Sequence, residues 1–147
     1  MKSWIYLLPL VAGIAISLQS GVNNQLRSGV QQPLTAAFIS FFTGTLTLFF
    51  LHLITKTSWP SWNTLGALSW YQYTGGILGV MVVSFVIVSV PVVGAANMFI
   101  LMIAGQLFTA VLMDRFGWLG MPLHPISLSK IAGLFLVITG AYLVTRN

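Results

Sequence analysis

Five apolar stretches, each about as long as a bilayer is thick, constrain this 147-residue chain more than any other feature. A helix needs about 20 mostly apolar residues to cross the ~30 Å hydrocarbon core, where every backbone polar group must be satisfied internally. The sequence predicts such spans at residues 4–27, 34–55, 71–90, 93–113 and 128–145. It therefore predicts an all-α polytopic membrane protein, with a single transmembrane domain over residues 1–147 and its five helices in one bundle. Pro91 is expected to form a tight turn between the third and fourth spans.

Charged residues are too few for a soluble protein. They make up 5% of the chain, against about 25% in a typical soluble domain. The chain holds six Lys and Arg, one acidic residue and no Cys, and its cations stand singly rather than in a basic patch. This composition excludes a soluble enzyme, a secreted disulfide scaffold and a nucleic-acid-binding protein.

Lys and Arg in the short loops indicate orientation, because cytoplasmic loops carry the excess of positive charge. Five spans place four cations on one side of the membrane and two on the other. The four are Lys2, Lys56, Arg115 and Lys130, and the two are Arg27 and Arg146. The bias favours a cytoplasmic N-terminus and an outer C-terminus, but a difference of two charges also leaves open insertion in both orientations. All five Trp residues fall near the side with four cations, as an interfacial belt requires.

Small residues at helical spacing predict contacts between the spans, since close backbone approach drives helix association in lipid. On the second span Ala36, Ser40 and Gly44 stand four residues apart. On the third span Gly75 and Gly79 form a GxxxG pattern. The full set of predicted packing residues is Ser40, Gly44, Gly75, Gly79, Gly94, Gly105, Gly133 and Gly140.

The polar end of the first span carries candidate binding residues. Gln19, Asn23 and Arg27 recur every four residues, so they share one helix face. Burying amides in hydrocarbon is costly without a function or a partner, which favours a cavity-lining role for Gln19 and Asn23. Arg27 either closes this face with a guanidinium that binds carboxylate or phosphate, or extends to the lipid headgroups. Gln106, at mid-depth in the fourth span beside Gly105, is a further candidate.

The sequence carries no constellation typical of catalysis, metal binding or cofactor binding. It lacks a carboxylate pair, a Ser/His/Asp set at plausible depth, a metal-ligand cluster and a phosphate-binding loop. Its only acidic side chain, Asp114, adjoins Arg115 and is expected to form an ion pair or to serve at a helix end. The sequence thus predicts a protein that is not an enzyme and needs no metal or cofactor.

Several short motifs follow one another from the first span to the fifth. They are Leu18-Gln19 with Asn23-x-x-Leu26-Arg27, Gly75-Gly76-Ile77-Leu78-Gly79, Pro91-Val92-Val93-Gly94-Ala95-Ala96, Gly105-Gln106, Asp114-Arg115-Phe116-Gly117, and the closing Gly133 and Gly140. In this order they resemble the YdcZ-like, single-domain branch of the drug/metabolite transporter superfamily. Members of that branch are five-helix relatives of the small multidrug resistance proteins.

The resemblance implies one repeat of a ten-helix transporter, in which two inverted five-helix repeats bind substrate between them at mid-membrane. An odd number of spans then requires an oppositely inserted partner. The resemblance therefore implies an antiparallel homodimer with dual topology, or a pair with an oppositely oriented paralogue, in a bacterial-type inner membrane. The residues that it places on the central path are Gln19, Asn23, Arg27 and Gln106.

The first span departs from the small multidrug resistance proteins in a way that bears on mechanism. Those relatives couple cationic drugs to protons through a carboxylate in this span, where the present chain has Gln19 and no acid. Without that carboxylate, neither a counter-ion for a cation nor a proton carrier is available. We therefore expect alternating-access transport of a small neutral, zwitterionic or anionic metabolite, either facilitated or weakly coupled through Asp114.

Two alternatives from other functional classes remain open. One is translocation of lipid or lipid-linked sugar, with headgroup contacts at Arg27. The other is a non-transporting membrane subunit that stabilises a partner. The second alternative predicts that changes at Gln19 and Asn23 are tolerated, whereas changes at the packing glycines are not.

Overall fold

The structure, a computed structural model, describes residues 3–146, and over that range it is helical with no β-strand. Its α-helices are α1 (Leu7–Val30), α2 (Pro33–Ile54), α3 (Trp62–Gly66), α4 (Gly75–Val93), α5 (Ala95–Phe116) and α6 (Leu128–Thr145). Short 3-10 helices lie at Ser3–Tyr6, Trp70–Thr74 and Trp118–Gly120. Lys2, one of the predicted flanking cations, lies outside the described residues.

Five of these helices are long and apolar enough to cross a membrane, which confirms the all-α polytopic fold. The longest, α1, has 24 residues, or about 36 Å at 1.5 Å per residue. The first span begins at Leu7 rather than residue 4 and ends at Val30 rather than residue 27. The polar segment from Gln19 to Arg27 is therefore helical throughout, and it presents its side chains with helical periodicity.

The connection between the third and fourth spans differs from the prediction. Pro91 lies inside α4 rather than in a turn, and the chain leaves the helix at Gly94, whose φ is 82° and ψ is 154°. A proline in the last turn of a membrane helix is tolerated because neighbouring groups can satisfy the one carbonyl it frees. A positive φ favours glycine, which has no Cβ. The tight turn predicted at Pro91 is therefore wrong, and Gly94 makes the break.

The contacts between helices divide the chain into two compact units, residues 1–91 and 92–147. In the first unit α1 packs against α2, and only Gln31 and Gln32 join them. The buried core of this unit is Ala36 and Ala37 of α2 with Ile87 of α4. Leu26, Val30 and Val83 pack against that core. Small residues on α2 thus allow α1 to approach it closely, and α4 reaches the same residues through the side chains of Val83 and Ile87.

In the second unit α5 packs against α6. Met98 near the start of α5 is buried, and so is Ala141 near the end of α6. The loop between the two helices returns to α5, where the backbone N–H of His124 donates to the carbonyl oxygen of Asp114 at 2.9 Å. The single bundle predicted over residues 1–147 stays a prediction.

Most large apolar side chains lie on the outside of these units. Leu18 on α1 is 67% exposed, Phe38 on α2 is 70% exposed and Phe85 on α4 is 63% exposed. An apolar surface of this kind is stable in lipid. Helices there associate through close packing and not through the removal of apolar surface from water. The fold therefore places only a few, mostly small, residues between its helices.

Candidate functional site

The polar face predicted on α1 lies in one continuous helix, but its members differ in exposure. Asn23 is 4% exposed, Arg27 is half-buried and Gln19 is exposed. The spacing of four residues keeps all three on one side of the helix. The face is therefore buried near Asn23 and opens at Gln19, toward the middle of the span.

A cleft of about 230 Å³ begins at Gln19 and runs along α2. Its lining consists of one residue from α1 and five from α2: Gln19, Ser40, Phe41, Gly44, Thr45 and Leu48. Ser40 and Gly44 are two of the predicted packing residues. A Cβ at Gly44 would meet no atom of the described residues within 4 Å. In this chain the small-residue stripe therefore leaves space beside Gln19.

The side chains that line the cleft are uncharged, and those of Gln19, Ser40 and Thr45 are polar. The Gln19 amide supplies both a donor and an acceptor, and Ser40 supplies a hydroxyl. The Thr45 hydroxyl donates to the carbonyl oxygen of Phe41 at 2.9 Å, so toward the cleft it can only accept. The arrangement is suited to hydrogen-bonding a small uncharged polar group.

Four buried polar atoms belong to residues that the sequence did not single out as binding residues. Within residues 3–146, Ser20 Oγ and Asn24 Oδ1 on α1, His52 Nε2 on α2 and Ser84 Oγ on α4 are buried with no hydrogen-bond partner. Buried polar atoms are nearly always paired, so unpaired ones call for an explanation. The sequence feature that could have indicated these atoms is a polar residue within an apolar span. The spacing of residues along the sequence could not show that the fold encloses these atoms and leaves Gln19 exposed.

Gln106 lies in the second unit and is exposed on α5. Its neighbour Gly105 is also exposed, and a Cβ there would meet no atom of the described chain within 4 Å. Both residues thus lie on open surface of α5. The path roles of Gln19, Asn23, Arg27 and Gln106 stay predictions.

The predicted packing glycines fall into three groups. A Cβ at Gly79 would lie 3.4 Å from Phe41 Cζ, so this glycine permits close contact between α4 and α2. Gly94 is the turn residue described above. Those whose Cβ would meet nothing within 4 Å in the part of the chain that the structure describes include Gly75, Gly133 and Gly140. Their part in helix packing stays a prediction.

The only acidic side chain is paired with a cation. Lys130 Nζ donates to Asp114 Oδ2 at 3.0 Å, so the expected ion pair forms across the α5–α6 hairpin and not with the adjacent Arg115. Among residues 3–146 no group of three or more His, Cys, Asp or Glu side chains comes together as a metal site.

The comparison with protein families agrees with the helices and motifs above. The model of the family described as "Putative inner membrane exporter, YdcZ" matches residues 4–143. No curated protein and no solved structure matches the chain. Because the family match runs from the first membrane helix into the last, the chain belongs to the YdcZ branch of the drug/metabolite transporters and is a multi-pass transporter of the inner membrane.

Proposed function

We propose that this chain is one half of an exporter for a small neutral, zwitterionic or anionic metabolite, and that a second copy in the opposite orientation completes it. The observation that carries the substrate class is the cleft at Gln19, which offers an amide and hydroxyls but no charged group. A cation bound there would find no counter-charge in a medium of low dielectric constant, whereas an anionic group could be met by Arg27 on the same face of α1.

The distribution of charge over the rest of the chain supports the same class. Asp114 is the chain's single acidic residue; it is paired with Lys130 and lies two residues before the end of α5 at Phe116. No acidic side chain therefore lies in the middle of a span to hold a cationic drug or to carry a proton for it. Arg27, half-buried at the end of the α1 face, would attract an anionic group that entered along this face.

The odd number of membrane spans supports the dimer. In transporters built from inverted repeats, substrate binds near mid-membrane between two oppositely inserted halves, which rock against each other. One five-helix chain supplies one half. The exposed amides of Gln19 and Gln106 are then available to a path completed by the partner. A pair with an oppositely oriented paralogue satisfies the same requirement.

Flux measurements in proteoliposomes test the substrate class. Purified protein is reconstituted and challenged with panels of small polyols, amino acids, carboxylates and quaternary amines. We expect flux above that of empty vesicles in at least one of the first three panels and none for the amines. Gln19→Ala should lower that flux about fivefold, since one hydrogen bond to the substrate contributes about 1 kcal/mol.

Gln25→Ala is the matched control, because Gln25 is an exposed amide on the same helix that does not line the cleft. Its flux should equal that of the unchanged protein. Efflux of a cationic drug with proton antiport, abolished by Gln19→Ala, would contradict the proposed substrate class. Equal flux in both variants would remove Gln19 from the path.

A further inference from the structure

A second cleft, in the α5–α6 hairpin, has a chemistry of its own. Its volume is about 230 Å³. Leu107, Val111 and Leu134 contribute apolar walls, and Gly133 leaves part of one side without a side chain. The Asp114–Lys130 ion pair forms the remaining edge of the lining. The cleft therefore combines an apolar trough with one positive and one negative charge.

The ion pair retains bonding capacity toward the surroundings. Its side chains are 40% exposed for Lys130 and 36% exposed for Asp114. The pair uses one carboxylate oxygen and one of the three protons on the ammonium group. Lys130 can therefore still donate to an anionic oxygen, and Asp114 can still accept from a cationic N–H.

The position of the pair along the helices matches the level of lipid headgroups. Asp114 lies two residues before the end of α5 at Phe116, and Lys130 lies two residues after the start of α6 at Leu128. At 1.5 Å per residue each is about 3 Å from its helix end. From Asp114 to Leu107 the cleft descends seven residues along α5, about 10 Å into the span.

We propose that this cleft binds one zwitterionic phospholipid with a primary amine, of the phosphatidylethanolamine class, as a resident lipid. Lys130 contacts the headgroup phosphate, Asp114 contacts the headgroup ammonium, and an acyl chain lies along Leu107, Val111 and Leu134. A headgroup of zero net charge complements a charge pair of zero net charge. An anionic lipid would instead face the repulsion of Asp114, 3.0 Å from the lysine that attracts it. This site is independent of the transported substrate and of the α1–α2 cleft.

Native mass spectrometry tests the proposal on the whole protein. The protein is purified in detergent and incubated with equal amounts of phosphatidylethanolamine and phosphatidylglycerol. We expect retained phosphatidylethanolamine to exceed phosphatidylglycerol about fivefold, the effect of one half-exposed charged contact. Asp114→Asn removes the contact with the amine and should reverse the preference, because Lys130 remains for the phosphate. Lys130→Gln should lower retention of both lipids.

A steric variant separates the cleft from general surface charge. Gly133→Leu fills the trough, and a Cβ at Gly133 meets no atom of the described residues within 4 Å, so the hairpin should fold unchanged. Retention should fall about fivefold in this variant, as for the loss of one contact of that strength. Gly140→Leu is the matched control on the same helix. It has the same clearance, lies outside the cleft and should retain lipid normally.

Equal retention of the two lipids by the unchanged protein would overturn the proposal, as would an unchanged preference in Asp114→Asn. If Gly133→Leu altered only the mass of the oligomer and left lipid retention intact, the cleft would be a contact with a second chain. That result would also overturn the lipid site. Circular dichroism of each variant checks that its helices are intact.

Discussion

Gly94 is the single residue between α4 and α5, and its backbone conformation is open almost only to glycine. At φ 82° and ψ 154°, a Cβ would collide with the local backbone, at a cost of about 1–3 kcal/mol. We therefore expect Gly94→Ala to lower the free energy of unfolding by that amount, measured by denaturation in mixed micelles. Gly13→Ala is the control. Gly13 is helical in α1 and has no neighbour within 4 Å of a Cβ among the described atoms, so alanine there should be neutral or stabilising. Equal stability of the two variants would contradict this view of the turn.

The polar residues of α1 show what a sequence can and cannot give at this scale. The face formed by Gln19, Asn23 and Arg27 was predictable, because amides are rare in hydrocarbon and helical spacing is regular. The enclosure of Asn23 and the exposure of Gln19 were not. They depend on how α1 is rotated against α2, and small side chains on α2 determine that rotation through packing that the sequence of α1 does not contain.

Helix α2 is the element around which the first unit packs. Ala36 is 0% exposed and Ala37 is 2% exposed, so neither position has room for a larger side chain. We expect Ala37→Leu to destabilise the protein by about 1–3 kcal/mol through overpacking. Ala15→Leu, at an exposed position of α1, should change stability little. Thermal unfolding in detergent compares the two. A stable Ala37→Leu variant would show that the small residues of α2 are not packed as described.

The ends of the elements were harder to predict than their existence. Five spans follow from the demand that every backbone polar group in lipid be bonded internally, and the structure has all five. Helix α2 begins at Pro33, one residue before the predicted start of the span at residue 34, and proline suits the first turn of a helix. Pro91 was wrongly predicted to form a turn, because it lies inside the last turn of α4. Hydropathy does not tell whether a proline interrupts a helix or lies within its last turn.

At the scale of the whole molecule, the proposed antiparallel homodimer requires both orientations of one chain in one membrane. The chain has no Cys, so Asn147→Cys provides a unique label at the C-terminus. We expect a membrane-impermeant maleimide to label about half of the molecules in intact cells and all of them after permeabilisation, as equal insertion in both orientations requires. Ser58→Cys, in a loop on the opposite side, should label to the complementary extent. Complete labelling at one position and none at the other would indicate one fixed orientation and would favour a paralogue as partner.

The two-residue link between α1 and α2 also determines how this part of the chain enters a membrane. Two extended residues reach about 7 Å, whereas α1 is about 36 Å long by its 24 residues. In the orientation with a cytoplasmic N-terminus this link ends on the far side of the membrane, so α1 cannot cross the bilayer while α2 waits on the near side. In that orientation both helices must therefore insert together as a helical hairpin. Gln31 and Gln32 are then the leading point of that hairpin. Their uncharged side chains make the passage across the hydrocarbon less costly than it would be for Lys or Asp.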